Sequence, residues 1–322
     1  MRLKLVRSET NFNFFKKWKL WITISLVLIF FSGVSLVVMG LNYGIDFRGG
    51  TTIRTESSLD VDVSRYRKVL EPLGLGDISI SEVFDPTFRD DQNVTQVRIE
   101  AQDGDQSITV QAVLSVREAL SLIDPNIKFP LVESVGPKVS GELVTVAIWA
   151  IFAAIGAVLF YIWLRFEWQF ALGAVAALVH DIFLTMGIFS TIQIKFDLAI
   201  IAALLTIVGY SLNDTVVVFD RVRENLRKYK KKPLDEVLNL SINETLSRTL
   251  MTSVTTLLAL TSLYVLGGDV IRGFVFAMIW GVLVGTYSSV FIAGTILLYL
   301  GVKRDWSKRL ANSGNQFGDI EA

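Results

Sequence analysis

Leu198-Ala-Ile-Ile-Ala-Ala-Leu-Leu-Thr-Ile-Val-Gly-Tyr-Ser-Leu-Asn-Asp214-Thr-Val-Val-Val-Phe219 is a run of 22 residues interrupted only by Asp214. A helix that crosses a bilayer needs about 20 predominantly apolar residues. The run is therefore long enough to span, and it carries a carboxylic acid inside. Working outward, five more stretches have the same character. Residues 20–40, 143–164 and 249–268 hold no charge over 21, 22 and 20 residues, and 273–302 holds none over 30. Residues 168–192 are interrupted only by His180 and Asp181. A surface helix of a soluble protein shows a polar stripe at every turn, and these segments show none. The pattern predicts a polytopic α-helical membrane protein with six transmembrane helices at 20–41, 143–164, 168–192, 198–219, 246–267 and 273–302.

Composition agrees. Of 322 residues, 52% are hydrophobic and 19% are charged, against roughly 25% charged in an ordinary soluble domain. Lys+Arg and Asp+Glu both number 31, a balance that disfavours a nucleic-acid binder. With no cysteine, disulfide scaffolds, zinc-thiolate sites and iron–sulfur clusters are excluded. The zero net charge conceals a sorting. Arg2, Lys4, Arg7, Lys16, Lys17 and Lys19 precede the first span, and seven bases lie between Arg221 and Lys232. Lys303, Arg304, Lys308 and Arg309 follow the last span, whereas the opposite short loops hold one base each, Lys195 and Arg272. Lys/Arg-rich segments stay in the cytoplasm. Tails 1–19 and 303–322 and a loop at 220–245 are thus expected inside, and residues 42–140 outside. The first apolar run is longer than a signal h-region and lacks an A-x-A-like site, so it reads as an uncleaved anchor.

Residues 42–140 contain 16 acids and 10 bases. Their periodicity alternates between two and 3.6, which predicts a small ferredoxin-like α+β domain of order β-α-β-β-α-β. Strands are expected at 44–56, 78–84, 93–101 and 129–135, with helices at 64–73 and 108–123. The domain shows no catalytic constellation and no metal-ligand set. Asp46, Arg48, Asp90 and Asp91 read as turn or solvated residues, and Gly49–Gly50 as a turn. The expectation is a non-enzymatic protein without cofactor, whose outer domain docks or binds.

Ionisable groups at membrane depth are the sharpest signal, because each central Asp or Arg costs roughly 2.5–3.5 kcal/mol on insertion scales. Asp214 is too short to snorkel well, which favours an internal role. Gly209, Tyr210, Asn213 and Val217 form a small, polar stripe beside it, expected to face other helices rather than lipid. Arg248, near the start of the fifth span, lies at similar depth. Ion pairing and desolvation act in opposite senses on such a carboxyl, so the pair can either pass a proton or hold two helices statically; spacing alone leaves both open. His180 and Asp181, about 100° apart on a helix, are expected to need different partners and to support packing or hydration. Gly281 and Gly285, with Ala277 before them, permit close helix approach.

Gly44-Ile-Asp-Phe-Arg-Gly-Gly-Thr51, Val135-Gly-Pro-Lys-Val-Ser-Gly-Glu-Leu143, Val179-His-Asp181, the string Val208 to Asn225 around Asp214, Ser247-Arg-Thr249 and Leu266-Gly-Gly-Asp269 together resemble the SecD/SecF family of protein-export membrane proteins, in the resistance-nodulation-division superfamily. The resemblance covers roughly residues 16–305 and includes the motif residues Gly44, Asp46, Gly49 and Gly50. It implies a subunit in the bacterial inner membrane that works with a SecD-like partner and a SecY-containing translocon. Such a pair uses the proton-motive force to draw unfolded preprotein outward through a lipid bilayer. By motif, the family's proton-passing Asp and Arg correspond to Asp214 and Arg248. The family's other essential membrane Asp belongs to the SecD-like partner. Two alternatives stand beside this: half of a proton-coupled small-molecule exporter, although such chains usually carry both halves and no internal repeat is visible here, or a static scaffold.

Overall fold

The structure is a computed structural model of the chain and describes residues 10–57, 59–60, 62–76, 78–83, 88–89, 92–99 and 110–302. Six of its helices are long and apolar enough to cross a membrane. They are α1 (Trp18–Val38), α5 (Pro137–Arg165), α6 (Trp168–Ile192), α7 (Leu198–Lys228), α8 (Leu234–Leu266) and α9 (Asp269–Leu300). Local chemistry sets their ends. Pro137 opens α5, where its missing N–H and fixed φ cost nothing. Asp197 caps α7 by accepting a hydrogen bond from Ile200 N at 3.3 Å.

The six helices are unequal. Between 44% and 61% of the apolar windows of α6, α7 and α9 is buried, against 6–11% in α1, α5 and α8. The first three form the centre, and the others keep broad apolar faces open. Small residues allow the central contact. A Cβ on Gly281 would collide with Ile207 of α7, and one on Gly285 would sit 3.1 Å from Ser211 Cβ. The Ala277–Gly281–Gly285 face is thus where α9 meets α7.

Residues 229–233 are all that separates α7 from α8, so most of the loop expected over 220–245 is helical. The two helices run on as a polar hairpin. Arg221 Nε donates to Glu244 Oε2 at 2.7 Å, and Asn225 Nδ2 donates to the same oxygen at 2.6 Å. The N-terminal segment docks at this end. Phe12 N donates to Asn243 Oδ1 and Phe14 N to Asn239 Oδ1, each at 2.8 Å, and the buried Phe15 ring packs on Gly294.

At the opposite end stands an α+β unit. It comprises α2 (Ile45–Arg48), β1 (Gly50–Ser57), α3 (Val63–Leu70), β2 (Ile78–Val83), β3 (Asn93–Ile99), α4 (Val110–Ser121) and β4 (Lys128–Val135). After α2 the order is β-α-β-β-α-β, and the antiparallel sheet runs β2-β3-β1-β4. Ile53 lies opposite Val97 and Val132. With Tyr66, Leu70, Val116 and Leu120 from α3 and α4, these residues fill one face of the sheet. By the period of two, Thr52, Arg54, Gln96 and Glu133 point the other way. They line a cavity of about 790 Å³ shared with Asp197 and Arg272. Residues 45–48, expected as strand entry, form one helical turn instead, because Gly49 (φ 76°) and Gly50 (φ 121°) break the extended path before β1. Asp90 and Asp91 lie outside the described residues.

Candidate functional site

The polar centre of the bundle is built on α6, α7 and α9. Asp181, 1% exposed, is its hub. Its Oδ2 accepts from Ser211 Oγ of α7 at 2.7 Å and from Ser288 Oγ of α9 at 2.8 Å. Its Oδ1 lies 3.0 Å from His180 Nδ1. This corrects the expectation that His180 and Asp181 need different partners. Nδ1 sits close to the backbone on its ring, so the imidazole reaches its neighbour's carboxylate while the other oxygen remains free for α7 and α9. A buried carboxylate with three partners satisfies the requirement that buried charge be paired or hydrogen-bonded.

The network extends beyond Asp181. The His180 ring lies 6.1 Å from that of Tyr287, tilted by 32°. Tyr287 OH donates to Trp21 O at 2.9 Å and lies 2.9 Å from Ser25 Oγ, which ties α9 to α1. Ser253 Oγ and Thr286 Oγ1, 2.7 Å apart, tie α8 to α9. Sequence reasoning missed Ser288, Tyr287 and Ser25 as site members. Their signal was faint: hydroxyls within apolar runs, whose partners lie more than a hundred residues away.

Asp214 follows Ser211 by one turn of α7 and is 3% exposed, with its Oδ2 buried and without a hydrogen-bond partner. Arg248 of α8 is close enough for its charge to act on this carboxylate, yet among the described residues no ion pair within 4.0 Å joins them. The Arg248 side chain is exposed. The two charges thus make no direct contact. Nearby, Tyr210 OH and Thr249 Oγ1 are also buried without partners.

The stripe expected to face other helices packs only in part within this chain, with Tyr210 and Val217 half-buried. Gly209 and Asn213 are exposed, and a Cβ on Gly209 would meet nothing within 4 Å. The packed face of α7 is the neighbouring one, through Ile207, Ser211, Thr215 and Val218. The open face carries Gly209 and Asn213, and Arg248 is exposed on α8. The motif residues Gly44, Asp46, Gly49 and Gly50 lie at the other end, at the base of the α+β unit, far from Asp214 along α7. Among the described residues no group of three or more His, Asp or Glu has metal-binding geometry.

Residues 115–303 match the family described as protein export membrane protein SecD/SecF, C-terminal, and residues 34–58 match the SecD/SecF GG motif. The chain belongs to the SecD/SecF family. Relatives named protein translocase subunit SecF agree along the whole length. That of Cereibacter sphaeroides is 61% identical over 100% of this chain and 99% of its own. That of Rhodobacter capsulatus is 57% identical over 98% of each. A crystal structure of SecDF from Thermus thermophilus, described as a translocon-associated membrane protein, superposes with a TM-score of 0.80 at 33% identity. The match covers 92% of this chain and 39% of the SecDF chain. SecDF in a super-membrane-facing form gives a TM-score of 0.66 at 34% identity. A SecD/SecF member with six long apolar helices is a multi-pass membrane protein.

Proposed function

We propose that this chain is the SecF-type subunit of a protein translocase, coupling the proton-motive force to preprotein movement across the bacterial inner membrane together with a SecD-type subunit. The observation that carries this reading is Asp214: a buried carboxylate with an unpartnered oxygen, within electrostatic reach of Arg248 and not ion-paired with it. A static ion pair would be closed, whereas an acid held next to a cation but not bonded to it can take and release a proton as hydration changes. One proton crossing yields roughly 2.3 kcal/mol per 100 mV, enough to bias a two-state packing by about fiftyfold.

The six apolar helices act as six spans, with both termini on the cytoplasmic side, as the Lys/Arg distribution favours. The α+β unit, whose strand order and alternation are those of a ferredoxin-like fold, is then periplasmic. The SecD-type partner packs on the open surface that presents Gly209, Asn213 and Arg248. Three features support this: the open space over Gly209, the exposed Arg248 at membrane depth, and the fact that the solved SecDF chain is far longer than this one. The translocon contains SecY, the substrate is unfolded preprotein, and no catalytic residues or cofactor take part.

The test is translocation into vesicles containing this chain and its SecD-type partner, with and without an imposed proton gradient. Asp214→Asn should abolish the increment that the gradient gives. An increment equal to the wild type's would overturn the role of Asp214.

A further inference from the structure

The motif at Gly44–Gly50 has no part in the relay, yet it is held against the turn between α6 and α7 by main chain and side chain alike. Phe196 N donates to Asn42 O and Gly44 N donates to Phe196 O, both at 2.7 Å. Tyr43 and Phe196 form an isolated parallel bridge. Asp46 Oδ2 accepts from Leu198 N at 3.0 Å, so Asp46 brings a second carboxylate to the α7 N-terminus beside the Asp197 cap. Unpaired N–H groups and the helix dipole favour negative charge there. Position 44 is crowded, since a Cβ would lie 3.0 Å from Lys195 Cε and 3.1 Å from Asp197 Cβ. The rings of Phe47, Phe189 and Tyr43 surround that of Phe196 at 5.8, 6.1 and 6.2 Å.

The same segment is bonded to the α+β unit. An Arg98 guanidinium N–H of β3 donates to Tyr43 O at 2.6 Å. Gly49 N donates to Ile45 O at 2.7 Å, and the chain enters β1 at Gly50. A hinge needs a few residues free to change φ and ψ. Here Asn42 O and Gly44 N are engaged by the α6–α7 turn, Tyr43 O by β3, and Gly44 O and Ile45 O within the α2 turn itself.

We propose that residues 42–48 are a clamp that makes the N-terminus of α7 and the base of the sheet one mechanical body, with Asp46 as its positioning residue. A displacement of α7 at Asp214, about 24 Å down the same helix at 1.5 Å per residue, is then delivered to the outer domain without loss at a joint. This deepens the proposed function and rests on the proton-coupled role of Asp214.

The test uses the full chain with its SecD-type partner in proteoliposomes, measuring proton flux and gradient-stimulated export separately, with Asp214→Asn as control. Asp46→Ala should lower stimulated export at least tenfold while flux stays within twofold of wild type, and Asp46→Asn, which keeps a capping oxygen, should recover most of the export. Unchanged export, or flux falling in step with export, would overturn the clamp. The chain has no cysteine, so Tyr43→Cys with Phe196→Cys gives a defined cross-link across the bridge, independent of how Asp46→Ala folds. Oxidation should leave export at the level of the reduced form. Export lost on oxidation and restored by reductant would show a joint that must open, and would overturn the proposal. Wild-type flux in the Asp214→Asn control overturns the proton-coupled role instead, a result separate from the cross-link outcome.

Discussion

Asp181 Oδ2 accepts a 2.7 Å hydrogen bond from Ser211 Oγ, and Ser211 stands one helical turn before Asp214. The carboxylate therefore fixes the α7 turn that carries the proposed proton acceptor, and through Ser288 it fixes α9 as well. Removing it leaves Ser211 Oγ and His180 Nδ1 without this partner, and Ser288 Oγ with only Gly285 O at 3.2 Å. An unmade buried hydrogen bond costs about 1–3 kcal/mol. Asp181→Ala is expected to lower the thermal unfolding midpoint in detergent markedly, and Asp181→Asn, which keeps one acceptor oxygen, to lower it less.

Close approach of α7 and α9 depends on Gly281. Gly281→Ala drives a methyl into Ile207 and should destabilise by about 1–3 kcal/mol, the usual cost of overpacking. Ile207→Ala, which truncates a buried side chain, costs about 2–5 kcal/mol alone, and the double variant should lose less than the sum of the two. A double-mutant cycle by thermal unfolding reads the coupling, which is expected to be favourable for the double variant.

Gly209 makes the opposite prediction. Nothing lies within 4 Å of its would-be Cβ, so Gly209→Leu should leave the isolated chain's stability within about 0.5 kcal/mol. If the SecD-type partner packs on this face, the same substitution should cut co-purification of that partner severalfold. Unchanged co-purification places the partner elsewhere.

Asp197 caps α7 from a half-buried position. Burial holds its carboxyl above the usual carboxylate range, with Lys195 pulling it down and neighbouring Asp46 pushing it up. A carboxyl whose value is raised on folding costs stability when ionised, at neutral pH, and the cost vanishes as pH falls and the group protonates. Asp197→Asn keeps the capping oxygen and should match or exceed wild-type stability at pH 7, the difference closing on acidification. Asp197→Ala should lose about 0.5–2 kcal/mol of cap. Unfolding midpoints measured across pH check both.

Much of the architecture was legible in the residues. Uncharged runs of span length located the apolar helices, and alternation at 78–83 and 93–99 located strands. Asp214, His180 and Asp181 stood out because charge at membrane depth is rare. What escaped has one physical origin: pairings across long sequence separations. Nothing local shows that Ser288 reaches Asp181, or that Asp46 caps a helix beginning 152 residues later. The charges from Asp220 onward marked a helical exit from the span into a cytoplasmic loop, but nothing local showed that Arg221 pairs with Glu244 and that both helices run through most of 220–245. Part of the Gly209–Asn213 stripe stays open within this chain, because small, polar residues imply a packed face without saying which chain supplies the packing.

The Asp214–Arg248 gap separates a relay from a scaffold. If the two charges merely hold helices together, exchanging them by Asp214→Arg with Arg248→Asp should preserve function better than either change alone. A relay should lose gradient-stimulated export in all three variants, provided that each still assembles with its partner.

The most direct measurement is proton flux into vesicles holding this chain and its SecD-type subunit under an imposed gradient, comparing wild type with Asp214→Asn. The account predicts that the variant's flux falls to the leak of protein-free vesicles, while assembly with the partner is retained. Flux through Asp214→Asn equal to that of the wild type would contradict it.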